Sequence, residues 1–200
     1  MLSSSSAACD EPAHQPTPVP GAGTATTEVA EPGSGKATGG FFQGPTIHCV
    51  AAADFVRPEF VVPRRLETEV FVLEPLDPDH NERDYAAWSS SVEHIHATPG
   101  WEESSWPRPM TLEENRRDLE RHSSDFERRA GFTYTVLERA NAEVIGCVYI
   151  YPASDGRHDA LVESWVRARS ADLDPQLWSR VSEWLEACWP FERVDYAARS

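Results

Sequence analysis

A chain of 200 residues carries 33 acidic against 18 basic side chains, a formal net charge of −15, and is 40% hydrophobic. That is enough for one globular core with an appendage, and the acidic balance excludes a nucleic-acid or anionic-membrane surface, since both favour a basic face. No apolar run approaches the roughly 20 residues that span a bilayer, and the opening MLSSSSAACDEP lacks the basic and apolar regions of a secretory signal.

Residues 1–55 are rich in Pro, Gly, Ser and Ala and hold no aromatic residue before Phe41. Such a segment cannot offset the entropy of ordering its backbone, so it is expected to be a disordered tail, leaving 56–200 as the folded domain. Cys9, Cys49, Cys147 and Cys188 form no CxxC pair and have no His at metal-ligand spacing. They read as free thiols, those in predicted core elements as small buried hydrophobes, with no metal site and a reducing, cytoplasmic setting.

In the folded part, Glu69 to Leu76 reads as a strand covered on both faces. Asp77-Pro78-Asp79 turns the chain. Tyr85, Trp88, Val92 and Ile95 then recur at helical spacing, predicting one helix from Glu82 to Thr98 that Pro99-Gly100 stops. His94 and His96 on that helix point about 200° apart and cannot share a metal. The Pro-rich loop that follows carries Trp101 and Trp106, which either plug the domain or line a pocket. Thr111-Leu-Glu-Glu114 is a capping-box pattern opening a highly charged helix that Gly131 is expected to end. Phe132–Glu138 and Val144–Tyr151 read as a hairpin, with Gly146 marking a bulge or a close approach. A strand from Leu161 to Arg167 follows. Asp174-Pro175 then predicts an N-cap and first residue for a helix whose apolar face is Leu177, Val181, Trp184, Leu185 and Cys188. Arg193 to Ala198 reads as the last strand.

This order of elements, with the local wording Val144-Ile145-Gly146-Cys147-Val148 and Glu163-Ser164-Trp165-Val166, resembles the GNAT superfamily of acyl-CoA-dependent N-acetyltransferases over about residues 64–199. The resemblance implies an α/β fold, a mixed, mostly antiparallel central sheet flanked by helices; the family normally continues past the fifth strand, whereas this sequence is expected to end about there. The resemblance also implies acetyl-CoA as co-substrate, seated where the fourth and fifth strands splay, near Trp165, Val166, Arg167 and Arg169. The family's pyrophosphate loop is Gly-rich because backbone N–H groups must crowd the anion. Here the corresponding residues are Ala171-Asp172-Leu173-Asp174-Pro175, with no glycine and two carboxylates, a degenerate cradle.

Two functions follow from the resemblance. One is N-acyl transfer to a small amine, with Glu163 as base, Tyr149 (or Tyr151) as proton donor, and Trp101 and Trp106 over the acceptor. The other is a catalytically silent module that binds a ligand or a second copy in the same groove. Trp178 and Trp189 lie off the main apolar face of the last helix, which with an open sheet edge allows a homodimer.

Overall fold

The computed structural model describes residues 55–199. The expected tail lies outside the described residues up to residue 54, and with it Cys9 and Cys49. Six strands form one sheet in chain order: β1 (Leu66–Glu67), β2 (Phe71–Pro75), β3 (Phe132–Glu138), β4 (Val144–Pro152), β5 (Ala160–Val166) and β6 (Val194–Tyr196). The first five pair antiparallel, and β6 runs parallel to β5. A parallel neighbour requires a crossover, which α4 (Asp174–Cys188) supplies. This is the mixed sheet flanked by helices that the GNAT resemblance implies. The two-residue β1 is added ahead of the five expected strands, so the last expected strand is the sixth.

Alternation along the central strands, interrupted by a bulge at Ile145, sorts the side chains into two layers. Ile145, Val148 and Ile150 of β4 and Val162 and Val166 of β5 join the core under α4, where Leu177, Val181, Trp184 and Leu185 are buried at the expected spacing. Cys147 and Tyr149 of β4 and Trp165 of β5 face the other layer, built by α1 (Asn81–Ser89), α2 (Val92–His96) and α3 (Leu112–Glu127). Each fully buried large apolar side chain contributes about 2 kcal/mol of transfer free energy, so each layer is anchored by several such groups.

The structure departs from the sequence expectations at several points. The single helix expected over 82–98 is broken, because the Ser90 and Ser91 hydroxyls donate to the Ala86 and Ala87 carbonyls and compete with continued helical bonding. The helix with the capping box forms as read, Glu114 N–H donating to Thr111 Oγ1 at 3.2 Å and Thr111 N–H to Glu114 Oε2 at 2.7 Å. It ends at Glu127, however, and Arg129 rather than Gly131 takes the left-handed conformation (φ 60°). Gly131 serves a different need: a Cβ there would collide with the Tyr151 ring.

Trp189 lies in the core, 6% exposed, packed on Trp184, Phe132 and Phe191. Trp178 packs on Tyr196. The chain turns back after α4 and covers Trp189 itself, whereas Trp178 stays half-buried, so of the aromatic argument for a homodimer only Trp178 is left. Cys147 is a free, buried thiol as expected, whereas Cys188 is disulfide-bonded, correcting its reading as a free core thiol. Among the described residues no helix is long and apolar enough to cross a membrane.

Candidate functional site

A cavity of about 410 Å³ opens between the sheet, α3 and the loop that follows α2. Trp101, Trp106, Arg108 and Met110 come from the loop, Asp118, Arg121 and His122 from α3, and Tyr149, Tyr151 and Glu163 from β4 and β5. Five residues singled out from the sequence, Glu163, Tyr149, Tyr151, Trp101 and Trp106, thus meet at one place. Period-two alternation explains part of this. Tyr149 and Glu163 are cross-strand partners, so their side chains rise side by side from the same face. The two tryptophans both plug and line: Trp101 is 5% exposed and Trp106 half-buried, in ring contact with each other and with Tyr149 and Trp165 respectively.

Glu163 is half-buried, and its carboxyl is pushed up by burial and by the negative charge of Asp195. Burial also drives the Tyr149 hydroxyl well above its ordinary range, so it stays protonated; it accepts from Trp165 Nε1 at 3.3 Å. A protonated phenol beside a carboxyl whose pKa is raised can orient a polar ligand and exchange a proton with it.

The α3 face was read from the sequence only as solvated charge. Positions 118, 121, 122 and 125 follow one another at i, i+3, i+4 and i+7, which places them on one side of the helix. There Arg121 pairs with Asp118 at 2.6 Å and donates to His122 Nε2 at 2.9 Å. The remaining ring hydrogen on Nδ1 then serves Tyr151 Oη at 2.7 Å, and the Tyr151 hydroxyl donates to Asp125 Oδ2 at 3.1 Å. Burial would raise Asp118, but the His122 ring and the Arg121 guanidinium beside it outweigh that and hold it at about 2. Burial pushes Tyr151 up to about 12. The signal for this cluster was a polar stripe at helical spacing, legible only once a partner face was known.

Beneath it lies a polar knot that sequence reading also missed. Asn115 accepts from Trp88 Nε1 at 2.8 Å and donates to Asp84 Oδ2 and Asn81 Oδ1, both at 3.0 Å. Asp84, 4% exposed, is pushed up to about 6 by burial, against the pull of the Asn115 bond. Among the described residues no group of His, Cys, Asp and Glu is placed to hold a metal ion.

On the other side of β5 the sheet parts. β6 pairs with β5 only from Ala160 to Val162, so among the described residues Glu163 onwards has no strand beside it there. Side chains fill the notch. The Ser164 carbonyl accepts from Trp101 Nε1 at 2.8 Å and Arg199 Nη2 at 3.0 Å, and Ser164 Oγ shares a hydrogen bond with Tyr196 Oη at 2.7 Å. Arg199 uses all five of its N–H groups: Nε on Asp174 at 2.6 Å, Nη1 on the Pro99 and Ala197 carbonyls, and Nη2 on the Ser164 carbonyl and Oγ.

The notch is where the resemblance places acetyl-CoA, and the residues present do not fit it. Asp174 was expected to cap α4. It is instead the first helical residue after a 3-10 turn, Ala168–Leu173, and its carboxylate goes to Arg199, leaving Leu173 at the cap position without a side-chain bond. A pyrophosphate there would meet a buried carboxylate, a proline lacking an N–H and a guanidinium with no donor to spare. Trp165 and Val166 are fully buried in the two core layers. Arg167 and Arg169 turn to Glu143 on the far side of the strand. The structure does not bring these four together as a cofactor surface.

No family model and no curated protein matches the chain. Solved structures of GNAT acetyltransferases are similar to it at low identity. One, described as a ribosomal-protein-serine acetyltransferase from Vibrio cholerae, is 15% identical over 66% of this chain and 70% of its own, with a TM-score of 0.49. A GCN5-related N-acetyltransferase from Brucella melitensis is 15% identical over 64% and 57%, with a TM-score of 0.48. The microcin C7 self-immunity acetyltransferase MccE, solved with acetyl-CoA and AMP, is 9% identical over 62% and 66%, with a TM-score of 0.47. The likeness is one of fold. What the site does is argued from its own residues.

Proposed function

We propose that this domain binds a small amine in the aromatic-walled cavity, with the ligand's ammonium paired to Glu163. The observation that carries the reading is a half-buried carboxylate, raised in pKa, that lines a cavity and has no cation beside it among the described residues. An unpaired carboxylate held partly out of water is costly, and an incoming ammonium offsets that cost. Trp101, Trp106 and Tyr149 surround the same space and suit a cation over their ring faces. Isothermal titration of small primary amines tests it: the protein should bind some of them, and Glu163→Gln should weaken that binding about tenfold or more. Unchanged affinity in the Gln variant would reject the role of Glu163.

A second reading, N-acyl transfer to that amine, is favoured by the raised pKa of Glu163, which suits a group that must take a proton from an ammonium. The filled notch argues against it. Release of free thiol from acetyl-CoA, dependent on amine and lost in Glu163→Gln, would establish it.

A further inference from the structure

The charged groups around the cavity are not equivalent. Asp118 and Arg121 neutralise each other, Arg121 also faces Asp125, and His122 is engaged by Arg121, Tyr151 and Thr133. Two lining charges remain without an ion pair among the described residues, and they are of opposite sign: Glu163 and Arg108. The Arg108 charge helps to lower the Glu114 carboxyl, but Glu114 is engaged chiefly by the Thr111 N–H and hydroxyl. Arg108 is exposed on the loop at the cavity wall, whereas Glu163 stands in the strand floor.

We propose that the ligand is a zwitterion, a small amino acid whose ammonium sits on Glu163 and whose carboxylate is taken by Arg108. A guanidinium offers two parallel N–H groups that match the two oxygens of a carboxylate. A doubly charged phosphate fits less well, because the cavity already holds Asp118 and Glu163 and the chain carries a net charge of −15. Trp101, Trp106, Met110 and Tyr149 line the same cavity and suit an apolar or aromatic side chain. This inference rests on the reading of the cavity as an amine site and names its substrate class.

The test is calorimetric titration of the full chain with the common α- and ω-amino acids, each beside its decarboxylated amine and its deaminated acid. At least one amino acid should bind about tenfold or more tightly than either truncated counterpart. Glu163→Gln should weaken the amino acid and the amine and spare the acid. Arg108→Ala should weaken the amino acid and the acid and spare the amine. Both side chains reach solvent, so both variants should fold, which their melting curves establish. Amines that bind as tightly as their amino acids, with Arg108→Ala without effect, would overturn the zwitterion and leave the amine reading standing. No binding by any member at about 10 mM would overturn both.

Discussion

Arg199 Nε lies 2.6 Å from Asp174 Oδ2, and the two side chains are 3% and 12% exposed, the most buried ion pair among the described residues. It joins the start of α4 to the notch between β5 and β6, and through the carbonyls of Pro99 and Ser164 it ties in the loop after α2 and the strand itself. Breaking a buried pair from one side leaves an uncompensated charge, which costs about 3–5 kcal/mol. Arg199→Met should destabilise the fold by about that amount in urea titration, and Asp174→Asn by less, because an amide can remain bonded to the guanidinium. The double variant should recover part of the Arg199→Met loss; strictly additive losses would show that the pair is not coupled.

The same pair bears on nucleotide binding. Coenzyme A should give no heat and no thermal shift with the unaltered protein at concentrations up to about 1 mM, a weak-binding limit. Micromolar binding would show that Arg199 and Asp174 give way to a pyrophosphate.

Asp84 supplies a pH dependence whose sign is fixed. Its folded pKa is raised, to about 6, so between its unfolded value and about 6 the native state holds the extra proton and stability falls as pH rises. The shift corresponds to about 3 kcal/mol lost between pH 4 and pH 7. Asp84→Asn should keep the Asn115 bond and flatten that part of the profile. Chemical denaturation of both proteins across this range measures it; parallel profiles would place the titration elsewhere.

Gly146 faces the Trp165 carbonyl so closely that a Cβ would overlap main-chain atoms of β5, and main chain cannot swing aside. Gly146→Ala should therefore cost about 3 kcal/mol, at the upper end of overpacking penalties. It should also disturb the cavity, because Trp165 holds Tyr149 and Trp106. Equilibrium unfolding gives the first effect and tryptophan fluorescence the second.

Some of this site was legible in the one-dimensional pattern. Alternation put Glu163 and Trp165 on one face of their strand, and Gly146 announced a bulge or a close approach, but that Tyr149 stands directly opposite Glu163 is set by the β4–β5 register. What escaped were groups whose role depends on a partner distant in the chain. Asp118, Arg121 and His122 look like an ordinary solvated helix face until Tyr149 and Tyr151 stand opposite them. Asn115 looks like one more polar residue on a charged helix until it meets Trp88 and Asp84.

The stretch from Leu161 to Phe191 shows the division most clearly. By itself the sequence determined a strand, a short connection and an amphipathic helix, because side-chain period and the Asp-Pro start are local properties. It also determined that no Gly-rich phosphate loop lies between them. It did not determine what fills that position. Asp174 is a natural N-cap by local rules, yet a guanidinium 25 residues further on offers a charged, buried partner and takes the carboxylate from the helix end. Only the tertiary structure decides such competition, because a charge-assisted bond out of water outweighs the cap bond that local sequence favours.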